Sequence, residues 1–384
     1  MITLFWLFAS LVLWHFIGYG GLLWLFAHNS RPYSIFKDDV LPTVSIVITA
    51  HNEERIIGAR IGNCLALDYP RERLEIVVCS DASTDRTAEI ARSFTGVKVV
   101  ESDTRHRARA QSLGVENSVG EVICFTDAET VYDSKCIRRM VEPYSDPKVG
   151  GVVGQIHFSS SSESAVSGAL TLYWRMENHL RDWQSRLGVL LKLSGAHMSM
   201  RRSLYQIPPR GVDIDQSAGP EIALRGFRVA WAPAAIAYDV LPMKSSDEWA
   251  GRRRFTVQAL TALLHFRTLL NPFRHPFHAF HLLSYRVLRY AMPLCLLGCL
   301  GTSLALAGTS PLFAATAGLQ VLFLALALCR WCGRFFRLKS RFINWPYSFC
   351  LIQAGILAGL VEFLAGRRID VWEPIDRAKD ESGS

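Results

Sequence analysis

The stretch EVICFTDAETVYD, residues 121–133, decides how the middle of this chain folds. Residues 122–125 are apolar and rich in β-branched and aromatic side chains, which is typical of a buried strand. Asp127 and Glu129 follow at once, with one residue between them. Two neighbouring carboxylates at a strand end are either an ordinary solvated turn at the start of a helix or the ligands of a bound cation.

Short apolar runs alternate with helical patterns around this stretch. Strands are predicted at 43–49, 74–80, 97–100 and 228–239, and helices near 53–67, 84–94, 108–118 and 165–188. Alternation at this spacing predicts an α/β domain with a mainly parallel sheet and helices on both faces. Such sheets bind ligands beyond the carboxyl ends of their strands, which is where Asp81 and Asp127 fall.

Long uncharged runs indicate that the chain also enters a membrane. Residues 1–29 contain no charged side chain, and at ~1.5 Å per residue they exceed a hydrocarbon core ~30 Å thick. We interpret them as a retained anchor rather than a secretory signal peptide, because a basic n-region and a small-residue cleavage site are both missing. A second uncharged run, 290–329, is long enough for two helices with a turn at 307–311.

The basic residues lie beside these apolar runs, although the net charge of the whole chain is +8. They cluster at 31–37, 252–254 and 330–341, so the positive-inside rule places the middle of the chain in the cytosol. Nucleic acid does not explain clusters in these places. A third apolar run, 345–366, either spans the membrane or is re-entrant or interfacial, and the second alternative keeps Arg367 and Arg368 on the cytosolic side.

Two more acidic segments stand on either side of the central stretch. In CSDASTDRT, Asp81 and Ser83 either make a turn or contact a ligand. In PPRGVDIDQSAGPEIALRG, residues 208–226, Asp213 and Asp215 follow a proline-rich loop. Gly219-Pro220 is predicted to start the next helix, since proline suits a first turn. Each segment alone fits a solvated loop, but together they form an ordered series of acids.

This series resembles the membrane-bound family-2 glycosyltransferases, which are inverting enzymes with a Rossmann-like GT-A fold, related to cellulose and hyaluronan synthases. The resemblance covers roughly residues 40–265. Its motifs are VSIVITAHNEE, SDASTDRT, RARAQSLGVENSVGEVICFTDAET, LSGAHMSMRR, GVDID followed by ALRGFRVAWAPAAIAYD, and EWAGRRRFTVQAL. The family implies a cytosolic GT-A domain together with transmembrane helices.

The resemblance also implies a role for each matching residue. Asp215 would be the catalytic base, and Asp213 is its rival. Asp127 would face a diphosphate and an Mg²⁺ or Mn²⁺ ion, with Glu129 assisting. Gly195, Ala196 and His197 would lie on the acceptor side. The residues that would contact the nucleotide sugar are Ala50, Asn52, Glu53, Asp81, Arg107, Asp127, Arg252, Arg253 and Arg254.

Three departures from the family pattern limit what is carried over. The D-x-D motif reads D-x-E here, which makes the metal geometry less certain. The usual Glu-Asp pair reads Ile214-Asp215, with Asp213 next to it. The Q-x-x-R-W motif of processive synthases is absent, and only the arginines at 252–254 stand near its place. Those arginines are equally explained as determinants of membrane topology.

We therefore expect an inverting glycosyltransferase that moves a sugar from a nucleotide donor, UDP-linked, to a lipid-linked or glycan acceptor, for cell-surface polysaccharide or glycolipid. It would be a multi-pass protein of the cell (inner or plasma) membrane. The alternatives are a processive polysaccharide synthase and a non-catalytic scaffold of a polysaccharide-export complex. The predicted segments are an anchor at 1–29, a GT-A domain at 40–245, amphipathic interface helices at 246–283, a membrane hairpin at 286–330, a transmembrane or re-entrant helix at 342–366 and a polar tail at 367–384.

Overall fold

The computed structural model describes residues 1–30, 41–159, 165–240, 245–333 and 341–368. Three features named above fall wholly or largely outside the described residues: the basic flank at 31–37, most of the basic flank at 330–341 and most of the polar tail at 367–384.

Thirteen helices and eight strands form the described structure. The helices α1 to α13 are, in chain order, Ile2–Leu13, Tyr19–His28, Ile57–Leu65, Thr87–Arg92, Arg107–Glu116, Cys136–Val141, Ala165–Arg186, Ile214–Leu224, Ser245–His265, Pro276–His281, Leu288–Leu306, Pro311–Gly333 and Arg341–Leu364. The strands β1 to β8 are Val44–Ala50, Leu74–Asp81, Val97–Ser102, Val122–Asp127, Val131–Tyr132, Val149–Ser159, Met198–Arg201 and Arg228–Val240. Short π-helical turns join α1 to α2 and α10 to α11.

The strands form one sheet in the order β3-β2-β1-β4-β7-β6-β8-β5. The first half is parallel, as the sequence predicts: β1 lies between β2 and β4, and β2 pairs with β3. The second half is mixed, because β7 runs antiparallel to both β4 and β6. The α/β prediction is therefore confirmed, while the sheet as a whole is less parallel than expected. The carboxyl ends of β1, β2 and β4 share one edge.

Apolar side chains of the central strands fill both faces of the sheet. Along β1, Ile46 and Ile48 pack into one core cluster and Val47 packs into the other. This alternation follows the two-residue period of a strand. A sheet covered on both faces leaves its strand ends as the place for polar chemistry.

Four helical segments are long and apolar enough to cross a membrane: Ile2–His28, Pro276–Leu306, Pro311–Cys332 and Asn344–Leu364. Buried hydrogen bonds tie the first two of them to each other and to α7. The hydroxyl of Tyr19 on α2 lies 2.6 Å from Nδ1 of His281 and accepts from Nε2 of Gln184 on α7 at 3.4 Å. The carboxylate of Glu177 on α7 accepts a bond from the Tyr285 hydroxyl at 2.6 Å. The membrane helices and the sheet domain are thus joined by specific polar contacts.

The start of α8 differs from the sequence prediction. The helix begins at Ile214, and Pro220 lies inside it rather than at its first turn. Proline inside a helix removes one backbone hydrogen bond. Gly219 lets the helix pack closely against the backbone of Leu191, since a Cβ at this position would lie 1.9 Å from the backbone oxygen of that residue. The earlier start places Asp215 in the first turn, where the helix dipole favours a negative charge.

Candidate active site

Asp127 ends β4 and forms an ion pair with Arg107, the first residue of α5. Nη2 of Arg107 donates the hydrogen bond to Oδ1 of Asp127, and both side chains are largely covered, with exposures of 16% and 25%. The pair joins two of the matched motifs at one edge of the sheet. A guanidinium beside a half-buried carboxylate is suited to binding phosphate oxygens next to a cation.

Asp81 ends β2 and is also tied to α5. Its Oδ1 accepts a hydrogen bond from the backbone N–H of His106 at 2.8 Å, and its backbone oxygen accepts one from Nδ1 of His51 at 2.5 Å. Burial raises the pKa of the Asp81 carboxyl. The hydrogen bond from the backbone of His106 stabilises the charged form and offsets part of this rise. The loops after β1 and β3 therefore both bond to Asp81, the first to its backbone and the second to its side chain.

The loops after β1 and β2 are locked together by Asn52. Its backbone adopts a left-handed conformation with φ of 56°, which asparagine tolerates better than most residues. Its Oδ1 accepts from the N–H of Thr84 at 2.8 Å, and its own N–H donates to the hydroxyl of Ser83 at 3.2 Å. Ala82, the first residue after β2, also has a positive φ, of 51°. Such strain gathers at ligand-binding sites.

Glu53 and Ala50 occupy the same pair of loops. The N–H of Glu53 donates to the hydroxyl of Thr87 at 2.8 Å, which places the residue at the start of α4. Ala50 is buried as the last residue of β1 and is paired with Ser80 of β2. Both residues thus stand where the resemblance places a nucleotide, and their contacts with a nucleotide remain predictions.

Asp213 and Asp215 approach Arg107 from the other side. The N–H of Leu193 donates to the backbone oxygen of Asp215 at 3.3 Å, which fastens the acceptor-side segment to α8. Gly195 fills the space between the two groups: a Cβ on it would lie 3.4 Å from Nη2 of Arg107 and 4.0 Å from Cβ of Asp215. The segments that carry the predicted metal ligand and the predicted base therefore meet.

Burial and the surrounding charges together set the pKa of Asp215. Burial raises its pKa to about 6, and the carboxylate of Asp213 adds to this shift. Three cations oppose the shift; they are Lys192, Arg107 and Arg286. A carboxyl with a pKa near the working pH is suited to accept a proton during a reaction.

The pKa of Arg107 is set by the same group of charges. Its burial alone lowers the pKa of the guanidinium, but surrounding carboxylates outweigh this and raise the pKa above its ordinary value. Those carboxylates are Asp127, Asp213 and Asp215. Arg107 is the cation that three of the predicted site residues share.

Sequence reasoning missed two cations of this site. Lys192 directly precedes Leu193, and Arg286 lies on the π-helical turn that enters the second membrane segment. Arg286 is 5% exposed, and burial together with nearby cations lowers the pKa of Lys192 to about 8. The sequence did offer a signal, which was a charged residue within an apolar stretch. Burying a charge costs free energy, so such residues usually serve a function.

The described contacts of the arginines at 252–254 lie on α9 and the last helix. Arg253 on α9 forms an ion pair with Glu362 of α13 at 3.3 Å and lies over the Trp249 ring of its own helix. A Cβ on Gly355 of α13 would lie 2.9 Å from Cβ of Arg252, and Arg254 lies over the Phe255 ring. A role for the three in binding diphosphate stays a prediction.

His197 is a core residue in the structure. It is fully buried, its Nε2 donates to the backbone oxygen of Ala235 at 2.9 Å, and burial lowers its pKa to about 4. Gly195 and Ala196 are half-buried beside it. A buried, neutral ring bonded to the backbone favours a structural role for His197, and its contact with an acceptor stays a prediction.

Asp127 and Glu129 offer carboxylate oxygens at the same strand end, and both are half-buried. Among the described residues, no group of three or more His, Cys, Asp or Glu side chains is arranged to hold a metal ion. Magnesium and manganese usually keep water and substrate phosphate among their ligands. Two carboxylates at one strand end are the ligand type that such an ion takes, and a metal site at Asp127 and Glu129 stays a prediction.

Comparison with known proteins agrees with this geometry. Residues 45–207 match the family model described as glycosyl transferase family 2. The probable glycosyltransferase YdaM of Bacillus subtilis (strain 168) is 27% identical over 280 residues, which cover 66% of this chain and 65% of the relative. A poly-beta-1,6-N-acetyl-D-glucosamine synthase of Staphylococcus aureus (strain COL) is 25% identical over 250 residues, with coverages of 62% and 60%. The chain thus spans a little less than two thirds of either relative.

A solved structure shares the fold. It is the mannosyltransferase PcManGT from Pyrobaculum calidifontis in complex with GDP-Man and Mn²⁺, with a TM-score of 0.71 at 21% sequence identity. The superposition covers 95% of this chain and 100% of the other, so it extends beyond the sheet domain. The GT-A fold predicted from the sequence is confirmed. Residues 45–207 are thus similar to a family-2 glycosyltransferase domain, and the relatives and this fold support a glycosyltransferase.

Proposed function

We propose that this chain is a membrane-anchored inverting glycosyltransferase. It transfers a sugar from a nucleotide donor, UDP-linked, to a lipid-linked or glycan acceptor in the synthesis of cell-surface polysaccharide or glycolipid. The matched family, the relatives and the apolar helices support this proposal. The basic flanks of those helices support a cytosolic catalytic domain.

One observation carries the proposal. Gly195 lies between Arg107, which binds Asp127, and Asp215, a buried carboxyl whose pKa is about 6. The place for a diphosphate and the place for a proton acceptor are therefore neighbours across one small residue. A displacement that inverts the anomeric carbon needs these two functions on opposite sides of the transferred sugar and needs no second carboxylate as nucleophile.

The roles of the residues follow from their surroundings. Asp215 accepts the proton of the acceptor hydroxyl, since its pKa lies close to the working pH. Arg107 holds positive charge where the leaving diphosphate gains negative charge, in a site that is already arranged before the reaction. A divalent ion bound at Asp127 and Glu129 would neutralise the rest of that charge. The complex of PcManGT with Mn²⁺ favours manganese as the first ion to test.

The test uses the full chain, purified in lipid nanodiscs, with a panel of UDP-sugars and GDP-mannose. Release of nucleotide and transfer of sugar are measured with Mn²⁺, with Mg²⁺ and without a divalent ion. We expect Asp215→Asn to lower kcat by roughly 10²–10⁴-fold, the usual worth of a general base, with donor binding unchanged. Glu221→Gln is the matched control, because Glu221 lies on the same helix and pairs with Arg225.

Three outcomes would contradict parts of the proposal. Full activity in both Asp215→Asn and Asp213→Asn would show that neither of these acids is the base. Full activity without any divalent ion would show that Asp127 does not act by binding a metal ion. Binding of a nucleotide sugar without turnover, across a range of acceptors, would instead support a non-catalytic scaffold.

A processive synthase is the second candidate, and the Staphylococcus aureus relative, a poly-beta-1,6-N-acetyl-D-glucosamine synthase, favours it. Product length distinguishes the two reactions, since a single transfer adds one sugar and a synthase adds many. Mass spectrometry of the reaction products resolves this directly.

The acceptor is proposed to reach Asp215 from the membrane side. Arg286 belongs to the segment that continues into α11, and Lys192 adjoins the acceptor-side loop. In the described part of the chain, Nη2 of Arg286 is buried without a hydrogen-bond partner. A buried guanidinium is costly unless it is paired, so these cations favour an acceptor with an anionic group, such as a lipid phosphate. Comparing a polyprenyl phosphate with a neutral oligosaccharide as acceptor tests this preference.

A further inference from the structure

Arg60 is a buried cation that the proposed reaction does not use. It lies on α3, on the same face as Ile57, Ile61 and Cys64, and is 2% exposed. A guanidinium in this position loses its hydration and needs protein partners in return. The identity of those partners indicates what it does.

The partners of Arg60 lie at both ends of the acidic segment. Its Nη2 donates to the hydroxyl of Thr126 at 2.9 Å, directly before Asp127. Its Cζ stands 4.2 Å from the ring centre of Tyr132, which is the last residue of β5. Its Nη1 donates to Oδ1 of Asn63, one turn further along α3.

Asn63 completes the arrangement at the second end. Its Nδ2 donates to the backbone oxygen of Tyr132, and its Oδ1 accepts from the N–H of the same residue, both at 2.9 Å. The side-chain amide thus pairs with Tyr132 as a neighbouring strand would. β5 has two residues and pairs with β8 at the edge of the sheet, so its own ladder fixes it weakly.

We propose that Arg60 and Asn63 are positioning residues for the divalent ion: together they hold the segment from Thr126 to Tyr132 so that the carboxylates of Asp127 and Glu129 face one cation. The inference rests on the proposed function, because the ion is the one that accompanies the nucleotide donor. Groups that orient metal ligands through hydrogen bonds typically change metal affinity 10–100-fold when removed.

The sign of the effect separates positioning from simple electrostatics. Arg60 is itself positive, so replacing it with a neutral residue would strengthen the binding of a cation if charge alone mattered. Positioning predicts the opposite result. A weaker metal affinity in Arg60→Met therefore has no electrostatic explanation.

The experiment measures Mn²⁺ binding by electron paramagnetic resonance, with the full chain in nanodiscs and UDP present. The variants are Arg60→Met, Asn63→Leu and Thr126→Val, the last being nearly isosteric and changing only the hydroxyl that accepts from Arg60. We expect each to weaken Mn²⁺ binding by roughly 10–100-fold, and excess Mn²⁺ to restore most of the turnover. Combining Arg60→Met with Thr126→Val should weaken Mn²⁺ binding little more than the larger single change does, since both remove the same hydrogen bond between Arg60 and Thr126.

Arg138→Met is the control, because Arg138 pairs with the exposed Asp68 on the surface. An Mn²⁺ affinity within twofold of the wild type in Thr126→Val and Arg60→Met would overturn the inference, as would a loss of turnover that excess Mn²⁺ does not restore. Failure of the wild type to bind Mn²⁺ with UDP would instead contradict the proposed metal site itself. The two failures are thus distinguishable.

Discussion

Arg107 binds Asp127 directly, so the first carboxylate of the central acidic segment is paired with a guanidinium from α5. The same guanidinium is influenced by the carboxylates of Asp213 and Asp215 on α8. One cation therefore connects the proposed diphosphate side of the site to the proposed base side. It also neutralises the first of the two acids at the end of β4.

Replacing Arg107 with methionine should reduce kcat/KM by roughly 10²–10³-fold, because a charge already arranged for the leaving group is lost. The loss should appear for every donor and acceptor tested. Arg109→Met is the control, since Arg109 lies on the same helix with an exposed side chain. Equal activity of the two variants would show that Arg107 has no part in the reaction.

The acid limb of the pH–rate profile should report Asp215. A base must be deprotonated, so the rate should fall as the pH drops below about 6, the pKa that burial and Asp213 give to Asp215. Asp213→Asn removes a negative neighbour and should move this limb to lower pH. Lys192→Met removes a positive neighbour and should move it to higher pH. Shifts of both variants in the same direction would contradict the assignment of the base.

His197 should matter for stability and not for the acceptor. His197→Ala removes its buried bond to Ala235, and Gly154→Ala would bring a Cβ to 2.0 Å from its Nε2. Overpacking of this kind typically costs about 1–3 kcal/mol, so Gly154→Ala should lower the melting temperature. The KM for acceptor should stay at the wild-type value in both folded variants. Ala196→Leu, next to it and half-buried, is predicted to raise that KM with little change in melting temperature.

The last helix should end on the same side of the membrane as the catalytic domain, although its length and composition allow it to span. α9 and α13 run alongside each other in one direction: Trp249 packs near Gly355, and Thr256 packs near Gly359. The far end of α9 then lies near α8, since His265 lines a cavity with Ile214. The end of α13 is thus directed towards the sheet domain.

Reporter fusions test this orientation. Alkaline phosphatase fused after the last residue of the chain should be inactive, and a fluorescent protein there should fold. Phosphatase inserted in the turn at 307–310, between α11 and α12, serves as the control and should be active. An active phosphatase at the chain end would instead mean that α13 crosses the bilayer and carries the Arg253–Glu362 ion pair with it, which is costly at membrane depth.

The local features of the fold were readable from the sequence. The apolar run 122–125 predicts β4, and the acids after it fall at a strand end because a strand and its termination depend on neighbouring residues. The parallel pairing of the first strands follows from the helices between them. The start of α8 was misread, since the proline pattern at 219–220 carried no information about the close contact of Gly219 with Leu191.

What the sequence determined by itself is the order of elements, the positions of the acids at the strand ends and the apolar segments that can enter a membrane. Tertiary structure decided which side chains interact: Arg107 pairs with Asp127, Arg60 donates to Thr126, and Lys192 and Arg286 lower the pKa of Asp215. It also placed His197 in the core. The physical reason is that strand and helix patterns are local, whereas the burial and charge of a side chain depend on contacts with residues far away in the chain.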